Sequence, residues 1–436
     1  MTDIMAQTIE EDGERDHPLR AALSEEMHLR NLPAFSAPTR LVQIVTLDGE
    51  KGTTASRAHV EALCGEHGIA LPAACRHFRC RLGALDFVWE CHTEFSTYTF
   101  IRAGAGDTTF GPEDFPGLPT AWLDALPGAV IRATQIALVA ADVAPVELDA
   151  LKSRFADADL VVCRVADGHA TIWSDFRLQA DSFGRLLVRD DGLVGHEVAH
   201  LIQRLLELGN YRKMALLGLP LARRLTPDVG QLEQRLMALT GAILARASND
   251  DHLLDELGYI SAELARLNAE THYRMSATRA YATLASERLA NLRISDVRGY
   301  TNLADFTDRR LQPAIRTCQS FSQRLEDLSQ RVARTSSLLR TRVDTELAKQ
   351  NRDLLGSMNR RAHMQLRLQQ TVEGLSVMAI SYYSVGLVGY VFKAAHHLVP
   401  ALDVEIATGM AVPAILAMAF FTMHSIRRRL HHHRPH

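Results

Sequence analysis

The 436-residue sequence predicts an α+β N-terminal domain, then a long helical coiled-coil-like region, then a two-helix transmembrane hairpin. Three observations predict it. Short β-rich runs alternate with turns from about Arg40 to Asp191, little but helix follows Pro227, and two stretches free of Asp, Glu, Lys and Arg lie near the end.

The first element, residues 1–16, is acidic and reads as a disordered N-terminus without the basic and apolar regions of a secretory signal. Residues 17–222 read as a cytoplasmic α+β domain. Its strands are legible in RLVQIVTL, in AVIRATQIALVA and in His77 to Leu82, where Phe78, Cys80 and Leu82 alternate with His77, Arg79 and Arg81 at the period of two of a half-buried strand. Helices near Thr54–His67 and Val194–Leu217 interrupt or follow them. Charged residues make up 23% and the net charge is -3, so no global basic field invites nucleic acid. Six cysteines without a CxxC pair fit neither a disulfide framework nor a four-thiolate zinc site and read as reduced thiols.

Residues 226–372 read as the helical, coiled-coil-like region. Thr226 caps a helix with Pro227 at its first position, where a missing N–H is tolerated, and Asn249 and Asp250 cap a second running towards Arg293. Pro313 marks the start of the uninterrupted part of a third. On it Leu325, Leu328, Val332, Leu339, Val343, Leu347, Leu354 and Met358 form an apolar stripe at helical spacing. Roughly 50 residues at the α-helical rise would span about 75 Å. The stripe serves antiparallel packing on the neighbouring helices, self-association into a homo-oligomer, or both.

Residues 373–427 read as the transmembrane hairpin, with spans at about 374–392 and 408–426, each near the length that crosses a hydrocarbon core. Arg360, Arg361 and Arg367 precede the first span, Arg427, Arg428 and Arg429 follow the second, and the loop between carries one Lys. Arginine flanks stay preferentially on the cytoplasmic side, which places both termini in the cytoplasm and the loop outside. Small residues (Gly386 and Gly389 in the first span, Gly409 and Ala417 in the second) suit close helix approach. Ser381, Tyr382, Tyr383 and Ser384 put hydroxyls inside the first span, for helix packing and interfacial anchoring or, alternatively, a permeation path. Residues 428–436 form a basic tail suited to anionic lipid, whose histidines are a minor metal candidate.

HPLRAALSEEMHLR from His17, WECHTEFSTYTF from Trp89, QRLLELGNYRKMALLGLPLAR from Gln203 and the long block from Leu338 through Tyr390 together resemble the bacterial family called domain of unknown function 3422. The resemblance covers nearly the whole chain and implies a membrane-anchored architecture, in a bacterium the inner membrane, without implying an activity, substrate or cofactor. The plan also looks like that of CorA-type cation channels. Those channels carry a Gly-Met-Asn signature at the outer end of the first span, where this chain reads Gly389, Tyr390, Val391. The similarity is one of topology.

Two constellations spell chemistry. His196, Glu197 and His200 form HEVAH, the zinc-hydrolase pattern in which two histidines one turn apart bind the metal and the glutamate activates water, with Glu207 or Glu233 as a third ligand. The extended metzincin pattern is unmet at Gln203 and Leu206. On this helix Val194, Val198, Leu201, Leu205 and Leu208 make the apolar stripe, so a solvated face also accounts for the histidines. Glu90, His92 and Glu94 alternate on one face of a strand opposite Phe87, Trp89 and Cys91, a candidate acid–base or metal cluster that also reads as a polar sheet face. His17 and His28 are weaker candidates. The phosphate-loop, dinucleotide and nucleophile-elbow patterns are absent from the sequence. The leading expectation is a non-enzymatic protein without cofactor, in which a domain that binds or senses an unidentified small molecule is tethered to the lipid bilayer. A CorA-like conductor and a zinc hydrolase are the alternatives.

Overall fold

The computed structural model describes residues 17, 19–20, 23–24, 31–49, 52–73, 75–104, 110, 115–142, 154–155, 160–245, 250–396 and 403–431. The expected disordered segment 1–16, His28, the Asn249 cap, residues 397–402 of the predicted external loop and the last five residues of the tail lie outside them. Contacts divide the chain into two compact units, Met1–Thr335 and Ser336–His436.

The first unit is an α/β sheet domain. Strand β1 (Thr39–Leu47) is followed by helix α1 (Gly52–Glu66), β2 (His77–Leu82), β3 (Leu85–Cys91), β4 (Phe95–Ala103), the short α2 (Thr120–Asp124) and β5 (Ala129–Ala140). Then come β6 (Val161–Val165), β7 (Ala170–Ser174), β8 (Gly184–Asp190), the helices α3 (Glu197–Leu216), α4 (Gly218–Ala245) and α5 (Asp250–Ala290), the two-residue β9 (Ser295–Asp296) and the start of α6 (Leu303–His396). Among the described residues nine strands form one sheet in the order β2-β3-β4-β1-β5-β8-β7-β6-β9. Every neighbouring pair is antiparallel except β5 and β8, which run parallel from Thr134 beside Gly184 to Ala140 beside Asp190. Two antiparallel halves therefore meet at a single parallel seam.

Central β1 is buried along almost its whole length because β4 and β5 flank it and both sheet faces are covered. On one face Val42, Ile44, Phe87, Trp89, Tyr98 and Phe100 pack with Val60 and Leu63 of α1. The polar tips in this core are satisfied: the Trp89 Nε1–H donates to Ser56 Oγ at 2.9 Å, and Ser56 Oγ lies 2.8 Å from the Tyr98 hydroxyl. On the other face Leu41, Ile101, Ile136 and Leu138 share a core with Val198, Leu201, Ile202 and Leu205 of α3, Ala285 and Leu289 of α5, and Leu303 and Leu311 of α6. That helical layer positions the site described below. Helices α4 and α5 approach closely where a Cβ on Gly218 would meet Thr278 Oγ1 at 2.4 Å, so glycine is required there.

Two proline expectations are corrected. Pro227 lies inside α4 rather than at a helix start, and Pro313 lies inside α6, which begins ten residues earlier at Leu303. An interior proline costs one ladder bond, on the order of 3 kcal/mol, but the buried stripe Ala222, Leu225, Val229 and Leu232 runs across Pro227 and Leu311, Ala314, Ile315 and Cys318 run across Pro313. Packing outweighs the lost bond at both places. The start of α6 is set by Asn302, whose Oδ1 accepts the Asp305 N–H at 2.7 Å.

The second unit holds the rest of α6 and helix α7 (Val404–His431), whose first turn is capped by Asp403 Oδ1 accepting the Glu405 N–H. Each helix is long and apolar enough over 18 residues to cross a membrane, and only 6% of each apolar window is buried. A Cβ on Gly389 would lie 3.6 Å from Thr408 Cγ2, which brings the two helices together at a small residue. The predicted stripe divides along its length: Leu325, Leu328, Val332 and Leu339 are buried, whereas Leu347, Leu354 and Met358 are exposed.

Candidate functional site

HEVAH sits at the N-terminus of α3. His196 is the residue before the helix, and Val194 is 74% exposed outside it, so Val194 does not belong to the apolar stripe. Glu197 accepts the Val194 N–H at 2.9 Å and so holds the turn that leads into the helix. His196 and His200 are exposed, their rings 6.3 Å apart. Glu207 stands seven residues beyond His200, about 10 Å along the axis, and is held by Arg288 and by Gln203 Nε2 at 2.9 Å. Glu233 is paired with Arg324 at 2.8 Å. Among the described residues no group of three or more His, Cys, Asp and Glu side chains is arranged to hold a metal ion.

The second constellation is split. Only Glu90 lies on β3; His92 and Glu94 occupy the turn before β4, because Cys91 closes the ladder opposite Ser96. Glu90 lies 3.9 Å from His77 Nε2 and 3.8 Å from His92 Nε2, and accepts from Thr97 Oγ1 at 3.3 Å. Burial alone would raise its pKa, yet His92, His77 and Thr97 hold the carboxyl below the ordinary value. Glu94 turns to α5, where Arg274 donates to it at 3.0 Å. His92 stacks on Phe95 at 4.2 Å between ring centres. These contacts tie the β3–β4 turn to its surroundings. His17 caps its own short turn, its Nδ1 accepting the Leu19 N–H at 3.2 Å.

A different place gathers charge. A cavity of about 110 Å³ opens beside the parallel seam, walled by the first residues of β5 and β8, by the middle of α3 and by the segment after β7. Its lining includes Arg132, Arg177, Arg185, Arg212 and Lys213 and, among the described residues, no acidic one. Three local irregularities build it. The β1–β5 register slips between Val45 and Thr46, whose partners are Arg132 and Val130, so that Ile131 is the extra residue of a β-bulge that turns Arg132 towards α3. Gly209 lacks the Cβ that would meet the Arg132 guanidinium at 2.5 Å. Phe176 adopts φ 51°, a backbone conformation unusual for an aromatic residue, and its ring carries the Arg212 guanidinium at 4.6 Å.

Both guanidiniums bond to neutral oxygens. Arg132 Nη1 donates to Gln43 Oε1 at 3.0 Å and to Asn210 Oδ1 at 2.8 Å, and Arg212 Nη1 donates to Thr307 Oγ1 at 3.2 Å. Burial, then the charge of Arg212, pushes Arg132 down to about 9; burial, then Arg310, pushes Arg212 down to about 10. Both remain cationic at neutral pH. Lys213, at the rim, has its pKa lowered by burial and by the same two arginines. Sequence reading missed this cluster because its members lie on β5 and α3 some 80 positions apart, each inside an ordinary amphipathic pattern. The one signal was GNYRK, a basic pair one turn after a glycine on a buried helix.

The chain matches the family described as Protein of unknown function (DUF3422) over residues 15–430. No curated protein matches it.

Proposed function

The chain belongs to the DUF3422 family of unknown function, and from that premise we propose that it is a membrane-anchored protein whose α/β domain binds a cytoplasmic ligand without performing catalysis. The exposed apolar windows of α6 and α7 carry this reading. Each apolar side chain left in water forgoes roughly 1.5–3 kcal/mol of burial, and two adjacent windows with 6% buried need a cover as thick as a hydrocarbon core. Arg360, Arg361 and Arg367 on one flank and Arg427, Arg428 and Arg429 on the other support a cytoplasmic location for both termini at a bacterial inner membrane. Copies associate through the exposed continuation of the stripe at Leu347, Leu354 and Met358.

Fractionation of expressing bacteria tests the anchor: the protein is expected in alkali-washed membranes, and recovery in the soluble fraction would remove the reading. A cysteine introduced by Leu398→Cys is expected to react with an impermeant maleimide added to intact cells, whereas cysteines added at either terminus stay protected. Sizing in detergent at micromolar concentration addresses association, which a strictly monomeric protein would rule out.

A further inference from the structure

Elsewhere in the first unit, half-buried arginines meet carboxylates: Arg274 meets Glu94, Arg288 meets Glu207 and Arg324 meets Glu233. The cavity at the β5–β8 seam is different. Among the described residues no carboxylate pairs with Arg132, Arg212 or Lys213, and the side-chain hydrogen bonds of the two guanidiniums run from Nη1 to neutral oxygens. A buried cation that lacks a counterion destabilises the fold unless something outside the chain supplies the negative charge. The bulge at Ile131, the missing Cβ at Gly209 and the φ of Phe176 all serve to hold these charges where they repel each other.

We infer that this cavity binds a small organic anion, its oxyanion taken by the guanidiniums of Arg132 and Arg212 and its carbon part lying on Leu186, Leu205 and Leu208. The inference deepens the binding-domain reading above by naming the ligand class. Planar forked donors suit the paired oxygens of a carboxylate or phosphate, and an apolar wall with a few convergent polar groups is the usual make-up of a small-molecule site. The volume of about 110 Å³ limits the enclosed part to a few heavy atoms, since a comparable apolar cavity of about 150 Å³ takes one benzene. A longer ligand leaves past Lys213 and Leu178, which are exposed at the rim.

The test is titration of the purified full chain in detergent, followed by thermal shift and calorimetry, with inorganic phosphate, phenyl phosphate and benzoate at ionic strength held constant with chloride. At least one probe is expected to bind saturably and raise the melting temperature, and the organic anions identify whether phosphate or carboxylate is preferred. Gly209→Ala puts a methyl group where the Arg132 guanidinium lies, but meets only the far end of a flexible side chain, so the fold is retained while affinity falls at least tenfold. Arg132→Gln is expected to do the same, and Arg324→Gln, remote from the cavity, to leave binding unchanged. Absence of saturable binding by all three probes, or wild-type affinity in Gly209→Ala, overturns the inference. Anion binding by a chain that fractionates as soluble would sustain this inference and remove the anchor alone.

Discussion

The two units treat apolar side chains in opposite ways. In Met1–Thr335 the largest core side chains are inside, with Trp89, Tyr98, Phe87 and Phe100 all below 2% exposed, whereas in Ser336–His436 Tyr382, Tyr390, Met410 and Phe421 are each about 70% exposed or more. Burial of apolar area stabilises the first unit, whereas the second unit's solution leaves such area open within the chain. Self-burial of apolar area thus accounts for the first unit and not for the second.

The largest expected effect comes from removing the second solution outright. Deletion of Gly374–His436 is expected to move the whole protein from alkali-washed membranes to the soluble fraction with the sheet domain still folded by circular dichroism; a deletion product that stays with membranes would break the contrast. Next comes the aromatic pair test. Phe100→Ala is expected to cost the sheet domain about 3–5 kcal/mol in chemical denaturation, while Phe420→Ala in detergent leaves that transition where it was. Smaller, roughly 2–3 kcal/mol, is the loss in Arg274→Ala, which leaves the 7%-exposed Glu94 carboxylate without its cation; Glu94→Gln with Arg274→Ala is expected to recover part of it.

The smallest effect is in pH dependence. Glu90 has its folded pKa held below its ordinary 4.5, so the stability it contributes is complete above that value and is lost as pH falls through the lower folded value. Glu90→Gln is therefore expected to flatten the acid side of the stability curve below pH 4.5, with no change near neutrality. An unchanged acid limb would show that His77 and His92 do not act on this carboxyl.

Much of the secondary structure was legible. β-branched alternation announced β1 and β5, and helices expected at Thr54–His67 and Val194–Leu217 occur at Gly52–Glu66 and Glu197–Leu216. Helix breaks were misplaced because proline rules describe local cost, and at Pro227 and Pro313 buried stripes override it. The paired motifs meet the same limit of local pattern. HEVAH and Glu90–His92–Glu94 are patterns along the chain, yet Glu197 bonds to the Val194 N–H, Glu207 is taken by Arg288, and Glu94 turns away to Arg274. Their partners come from helices whose position no local pattern records.

From local pattern alone come most of the strands and helices, the DUF3422 family, and two stretches apolar enough to span a bilayer, because periodicity and hydropathy are properties of neighbouring residues. Tertiary structure alone decided the nine-stranded order with its single parallel seam, and with it the meeting of Arg132 and Arg212 in one cavity. Charges from β5 and α3 converge only after a bulge turns one strand and a glycine lets its arginine lie against the helix. Convergence of that kind is set by the packing of elements distant in the chain, which no run of adjacent residues encodes.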